Sequence, residues 1–424
     1  ARASKMLSGP VSLKVGEKSW SISAKEIGAA LTLAQKPGIP APVLTLKDDS
    51  FKKLVDKIGG EVDQPKVNPR FDWNGGRPKL LRAGQDGMKL DREKAVSAVL
   101  SAIAGDARTV QLPIVVDQAT AASVDPASLG LKDLIESATT SFAGSVPEKQ
   151  HNIRTAAARL NGVLLAPGDV FSFNAELGPT TLKSGFQIGF GIAVTNGEMQ
   201  TVPSVAGGIC QVATTLLHSV FNAGYQIEER YPHAYWIQSY GLPPKGMTGL
   251  DATVDDPYLD FKFKNNTDNF VLIQTNVDGT TLEFDLYGTK PKWRVEIDKP
   301  VISNVVKPDP ATVRQEEPTW AVGRELWVER ATDGMDVVVT RRVIDGGEVR
   351  TLNLKSHYEP SRNVLMVGSA PPPPTATAGA DATPAAPGTP GTPAAGPTAP
   401  RPTAAATQPA PAATKPAATP TPGR

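Results

Sequence analysis

The stretch AGGICQVATTLLHSVFNAGY, residues 206–225, holds the only cysteine of the chain, set directly after two glycines and at the head of a helical pattern. Gly207 and Gly208 lack the Cβ that would forbid a sharp or left-handed entry, and Gly224 supplies a natural stop. The spacing predicts a helix running to about Ala223, with Cys210 in or beside its first turn. Val212, Leu216, Leu217, Val220 and Phe221 cover most of its surface, while Gln211, Thr215, His218 and Asn222 form a polar stripe, so the helix is expected to be mostly buried. Unpaired N–H groups at such a helix start favour a nearby negative charge, and with a neighbouring imidazolium they are the surroundings that lower a thiol's pKa.

Working outward, EKQHNIRTAAARLNGVLLAPGDVFSF predicts a helix from Gln150 to Leu160 with Ile153, Ala157 and Leu160 inward, a turn at Pro167-Gly168-Asp169 and a strand VFSF. Beyond the central helix, DFKFK, NFVLIQT and TLEFDLY read as three alternating strands of one meander, joined by NNTD and VDGT. Upstream, Val11–Val15 and Ser19–Ser23 read as strands, and residues 50–58 as a helix with Phe51, Leu54, Val55 and Ile58 on one face. A strand, a Gly75-Gly76 turn and a second strand follow. Then Asp91 is placed to cap a helix buried through Ala95, Val99 and Ile103. From about residue 290 to 368 nearly everything reads as strand, with turns at Asp333-Gly334 and Asp345-Gly346-Gly347. The remainder is Pro, Ala, Thr and Gly with almost no core-forming side chain, the composition of a disordered stalk or linker.

Composition narrows the function. The 44 Lys and Arg residues nearly cancel 43 Asp and Glu, for a formal net charge of +1, and no basic stripe interleaved with aromatics appears. Nucleic acid is therefore not an expected partner. No apolar run reaches the roughly 18 to 20 residues that span a bilayer. The chain opens on ARASKM without a charged and apolar leader. That leaves a cytosolic protein, or one whose leader or membrane anchor preceded Ala1. A single cysteine forms no internal disulfide and fits the cytosol and bacterial secretion alike.

Residues 137–289 resemble the VanW family of bacterial cell-envelope proteins, first met beside glycopeptide-resistance genes. The resemblance is carried by Gly207-Gly208-Ile209-Cys210-Gln211-Val212, His233, Asp251-Ala252-Thr253-Val254 and the segment Phe263 to Asp268. The sequence departs from the family where Ala206 replaces a usual third glycine, Ala213 a serine, and Leu217-His218 a Tyr-Asn pair. Residues 68–103, NPRFDWNGGRPKLLRAGQDGMKLDREKAVSAVLSAI, look like part of a peptidoglycan-binding module. Residues 334–368, GMDVVVTRRVIDGGEVRTLNLKSHYEPSRNVLMVG, resemble the G-five domain of extracellular bacterial proteins. The resemblances imply an α+β multidomain protein: a small α+β module over 1–120, a central α+β VanW-like domain over 137–289, an elongated all-β domain over 290–368 and a disordered tail over 369–424.

They also imply an extracellular, envelope-associated protein that binds peptidoglycan or another wall glycan, without cofactor or metal, with a binding or accessory role in wall maintenance or glycopeptide resistance. The alternative is an enzyme. Cys210, His233 and Asp251 occur in the order of a cysteine hydrolase or transpeptidase, in which a base deprotonates the thiol and an acid orients the base. Each has a structural reading too: an inert buried thiol, a histidine bonded to backbone carbonyls and an aspartate capping a strand. Gly207, Gly208 and Gln211 are candidates for ligand contact at the helix start. Trp327 and Tyr358, with Trp320, either stack on sugar rings or fill the core of a thin sheet. A metal site from Cys210, His218 and His233 lacks the paired spacing of zinc ligands.

Overall fold

The computed structural model describes residues 2–370 apart from 36, 48, 106, 120–124, 196–197 and 242–246. The tail expected beyond this range lies outside the described residues, although its first two positions close the last strand, Asn363–Ala370.

The N-terminal region has its own apolar core, built from Val11, Leu13, Ile22, Ile27, Val55, Ile58, Val62, Val99 and Ile103. Its two main helices follow the apolar spacing. Lys52–Val62 buries Val55, Ile58 and Val62, and Arg92–Ala104 begins at Asp91, whose side chain accepts from the Lys94 N–H as an N-cap. The hairpin Arg70–Asp72 and Lys79–Arg82 behaves differently from a strand pair internal to this region. It adds the last two strands to the central sheet, through Val163 opposite Arg70. Gly162 allows that approach, since a Cβ there would lie 2.5 Å from the Phe71 carbonyl oxygen.

That central sheet has six strands in the order Asp133–Ser141, Thr281–Gly288, Val271–Asp278, Val163–Leu165, Arg70–Asp72, Lys79–Arg82. Two helices pack against it, Pro147–Leu160 and the central helix Ile209–Ala223. The expected three-strand meander is corrected here. Its second and third strands pair, but Lys262–Lys264 joins a separate small sheet between Val170–Ser172 and Gln226–Glu229. The cause is Asn265, fully buried, whose side-chain amide donates to the carbonyls of Leu165, Ala166 and Asn269 and turns the chain out of the sheet.

The C-terminal region forms two sheets. One holds Arg294–Ile297, Val301–Val306, Gly334–Asp345 and Glu348–Tyr358, and the other Thr312–Ala321, Asn363–Ala370 and Glu325–Glu329. The long hairpin turns on Gly346-Gly347, both with positive φ, as the sequence anticipates. Its inner face, Met335, Val337, Val339, Leu354 and Tyr358, is continuous with the core around the central helix. Arg341, buried, closes the junction by donating to the carbonyls of Phe221 and Tyr225 at that helix's C-terminal end. A cation there meets both orphan carbonyls and the negative end of the helix dipole.

Candidate active site

The two glycines that open the central helix act for different reasons. Gly208 is the N-cap with φ 117°, a backbone that L-residues rarely adopt. Gly207 packs on the hairpin Ile188–Thr195 and Glu198–Val205, where a Cβ would lie 2.4 Å from the backbone N and O of Phe190. Ala206, where the family usually has a third glycine, also has positive φ, at 63°.

Cys210 thus enters as the second helical residue, partly exposed, with Sγ 3.6 Å from the Val254 carbonyl. The N–H groups of Ile209 and Gln211 are taken by the carbonyls of Ala206 and Gly208, whereas that of Cys210 has no backbone acceptor among the described residues. Along one helix face, at four-residue spacing, three side chains stitch the segment 250–254 to the helix. Cys210 meets Val254, Thr214 exchanges bonds with both backbone groups of Ala252, and His218 donates from Nε2 to the Leu250 carbonyl at 2.7 Å. Asp251 is fixed between these points. His218 is therefore a fully buried structural clamp, committed to a carbonyl.

His233 approaches from the chain after Gln226–Glu229. Its backbone N–H and Nδ1 both donate to Asp251 Oδ2, at 2.9 and 2.5 Å. With Nδ1 so engaged, Nε2 is the ring nitrogen left over, and His233 and Cys210 line the same cleft. Asp251 Oδ1 in turn accepts from Arg230 Nη2 at 2.9 Å and from the Tyr358 hydroxyl at 2.5 Å. Arg230 is held by the carbonyls of Asp251, Gly249 and Lys355.

The electrostatics follow from this packing. Burial alone disfavours charge on both partners, but it is outweighed. Hydrogen bonds from His233 and Tyr358 and the charges of His233 and Arg230 hold the Asp251 carboxyl far below its ordinary range. Against the same desolvation, Asp251 and the thiol of Cys210 raise His233 to about 9. Tyr240, edge-on to the His233 ring with centroids 5.6 Å apart, has its phenol pushed up by burial and by the charges of Cys210 and Asp251.

The cysteine and histidine open onto a cleft of about 630 Å³. Phe190, Ser204 and Ala206 form one wall, Val254 to Asp256 another, and Ile237 and Tyr240 a third.

The structure therefore brings Cys210, His233 and Asp251 together from three separate segments, with Gly207 and Gly208 beside them. It places the other candidates elsewhere. Gln211 is fully buried and donates to Thr140 Oγ1 and the Ser141 carbonyl, so it faces the sheet and not a ligand. The polar stripe as a whole is buried but for Asn222, because Thr140 also meets Thr215 across the helix–sheet contact. Of the two readings of Tyr358, the core is where it lies: its ring is buried and its hydroxyl donates to Asp251. Trp327 is 40% exposed, with the Arg330 guanidinium over its ring at 3.9 Å. Sequence reasoning missed Arg230, Tyr240 and the second role of Tyr358. Arg230, three residues before His233, was the one with a local signal. Among the described residues no three His, Cys, Asp or Glu side chains are grouped to hold a metal.

Residues 148–287 match the family model described as VanW like protein. The chain is 26% identical over 258 residues to uncharacterized protein YoaR of Bacillus subtilis (strain 168), covering 59% of this chain and 78% of that protein. It is 27% identical over 143 residues to vancomycin B-type resistance protein VanW of Enterococcus faecalis (strain ATCC 700802 / V583), covering 34% of this chain and half of that protein. Among solved structures, an L,D-transpeptidase of Enterococcus faecium aligns with 48% of this chain and 75% of its own at 11% identity. Its TM-score of 0.20 is too low to support inference.

Proposed function

Since this chain is a VanW family protein, with its VanW-like domain over residues 148–287, we propose that it serves in the bacterial cell envelope as a cysteine-dependent acyl transferase on peptide or amide bonds of the wall. The observation that carries the reading is the convergence of Cys210, His233 and Asp251 at an open cleft, with His233 Nδ1 committed to Asp251 at 2.5 Å.

In this reading the proton of the Cys210 thiol already rests on His233 Nε2 at neutral pH, since the imidazole is raised to about 9, and the Cys210 sulfur attacks the substrate carbonyl as the partner of that imidazolium. The Cys210 N–H, at the positive end of the helix, donates to the developing oxyanion. As the C–N bond breaks, His233 returns the proton to the leaving amine, and a thioester remains on Cys210. Attack by an amine completes transpeptidation and attack by water completes hydrolysis; either restores the thiol. Asp251 holds the ring in orientation and stabilises the imidazolium, and Arg230 and Tyr358 keep Asp251 ionised while buried.

Trapping tests this directly. Native protein mixed with purified peptidoglycan fragments and quenched in acid is expected to show a mass increment on the peptide containing Cys210, absent in Cys210→Ala. Fragment profiles that are identical for the native protein and Cys210→Ala, with no adduct, would overturn the reading.

The flanking regions are assigned to holding the wall, on the resemblance of 68–103 and 334–368 to envelope modules and on the effective concentration that linked weak sites supply. An extracellular location belongs to the same proposal. The described residues contain no helix long and apolar enough to cross a membrane. Full-length Cys210→Ala is expected to pellet with purified cell walls above a control protein. Failure to do so would remove the wall-holding assignment.

A further inference from the structure

Lys149 lies in the first turn of the helix Pro147–Leu160, and its stem packs against the opening of the central helix. A Cβ on Gly208 would sit 2.9 Å from Lys149 Cγ. Its ammonium lies 5.6 Å over the ring of Tyr240. Gly208 and Tyr240 both line the cleft with Cys210. The lysine is thus bracketed by two cleft residues, next to the thiol.

The buried arginines have partners: Arg230 has Asp251, Arg70 has Glu176, and Arg341 has two carbonyls. Among the described residues Lys149 has no ion pair and no hydrogen bond, only the ring of Tyr240. Lys149 is only half-buried, and its ammonium, held beside the cleft by the Tyr240 ring without an acceptor among those residues, keeps its donors for a ligand carboxylate. Burial weakens its hold on its proton, and the neighbouring Cys210 acts in the opposite sense. The titratable side chains that line the cleft itself, beside the thiol and the Tyr240 phenol, are Asp255, Asp256, His233 and His357, with Lys149 next to its lining residues Gly208 and Tyr240. The two carboxylates repel an anion, so acceptance of one is confined to the region of the lysine and the histidines.

We infer that Lys149 is a carboxylate-binding residue of this cleft, selecting peptides that carry a free carboxylate within about a residue of the carbonyl that Cys210 attacks. The inference rests on the cysteine reading above and adds the class of substrate.

Two alkylating reagents of nearly equal size separate the two claims. Iodoacetate carries the carboxylate and iodoacetamide does not, and both form the same thioether bond to sulfur with loss of iodide. The readout is the ratio of their rates with Cys210 in the full chain near pH 7. Lys149→Gln is expected to lower the ratio of iodoacetate to iodoacetamide by roughly fivefold, the scale of one unit charge a few Å away in water-like surroundings. Lys149→Arg is expected to keep it within about twofold of the native value by the same Coulomb estimate. A general loss of packing slows both reagents together and leaves the ratio unmoved. An unmoved ratio in Lys149→Gln, with iodoacetamide still reacting in a His233-dependent way, would overturn the carboxylate site and leave the cysteine chemistry standing. No reaction of native Cys210 with either reagent would overturn both.

Discussion

Tyr358 donates its hydroxyl to Asp251 at 2.5 Å, across 107 positions of sequence, from a strand of the C-terminal sheets to the acid beneath His233. The region that resembles a separate G-five domain thereby completes the support of a site in the VanW-like domain. Tyr358→Phe removes a donor from a buried carboxylate while keeping the ring. It is expected to cost about 1.5–3 kcal/mol of stability in chemical denaturation, the range for a hydrogen bond to a charged group. Tyr358→Leu loses ring packing as well and is expected to cost more.

The His233–Asp251 pair gives stability a pH signature. The folded pKa of His233, about 9, lies above its ordinary 6.5. Its contribution is full below about 6.5 and lost as pH rises through 9. The depressed Asp251 carboxyl acts oppositely: its contribution is present above its ordinary 3.8 and lost progressively as pH falls below that value. A stability plateau between about pH 4 and 6.5 is expected from these two groups, with a decline of a few kcal/mol toward pH 9. His233→Gln is expected to remove the alkaline decline, and denaturation series across pH measure it.

Gly207 is expected to tolerate no side chain. The added Cβ of Gly207→Ala meets backbone atoms of Phe190, which cannot rotate aside, so the helix start must lift from the hairpin. Roughly 1–3 kcal/mol is the ordinary cost of such overpacking. Because Cys210 sits three positions on, its alkylation rate should change too, which a surface substitution such as Lys25→Ala would not cause.

Arg341 supplies a fourth case. Arg341→Leu leaves the carbonyls of Phe221 and Tyr225 buried without their donor, at about 1–3 kcal/mol for each. Thermal unfolding followed by tryptophan emission reads the loss, since Trp293 donates to the Ala223 carbonyl at the same helix end.

Much of this arrangement was legible in the sequence, where local rules operate. The central helix begins and ends at the glycines that its pattern marks, and the apolar spacing picked out the buried faces of the helices at Lys52–Val62, Arg92–Ala104 and Pro147–Leu160. The candidate site was legible as an order of residue types, Cys, His, Asp, but not as a geometry. What stayed hidden was decided by partners distant in sequence. Gln211 and Thr215 look like a solvent-facing stripe because their hydroxyl and amide partner, Thr140, lies some seventy residues upstream. Tyr358 reads as an aromatic on a thin sheet until Asp251 appears at its hydroxyl. The hairpin Arg70–Arg82 carries nothing to announce that its neighbour is Val163. Lys149 has no motif, and its interest lies in the partner it lacks among the described residues.

The most direct measurement of the central claim is the rate at which native Cys210 reacts with iodoacetamide at pH 6 to 7, compared with His233→Ala and with Asp251→Asn. Reaction much faster than a model thiol is expected in the native protein, slowed strongly by His233→Ala and less by Asp251→Asn, because the base acts on the thiol and the acid acts through the base. Slow native labelling that rises only on unfolding and ignores His233→Ala would contradict the account and leave Cys210 as a packing residue at the head of its helix.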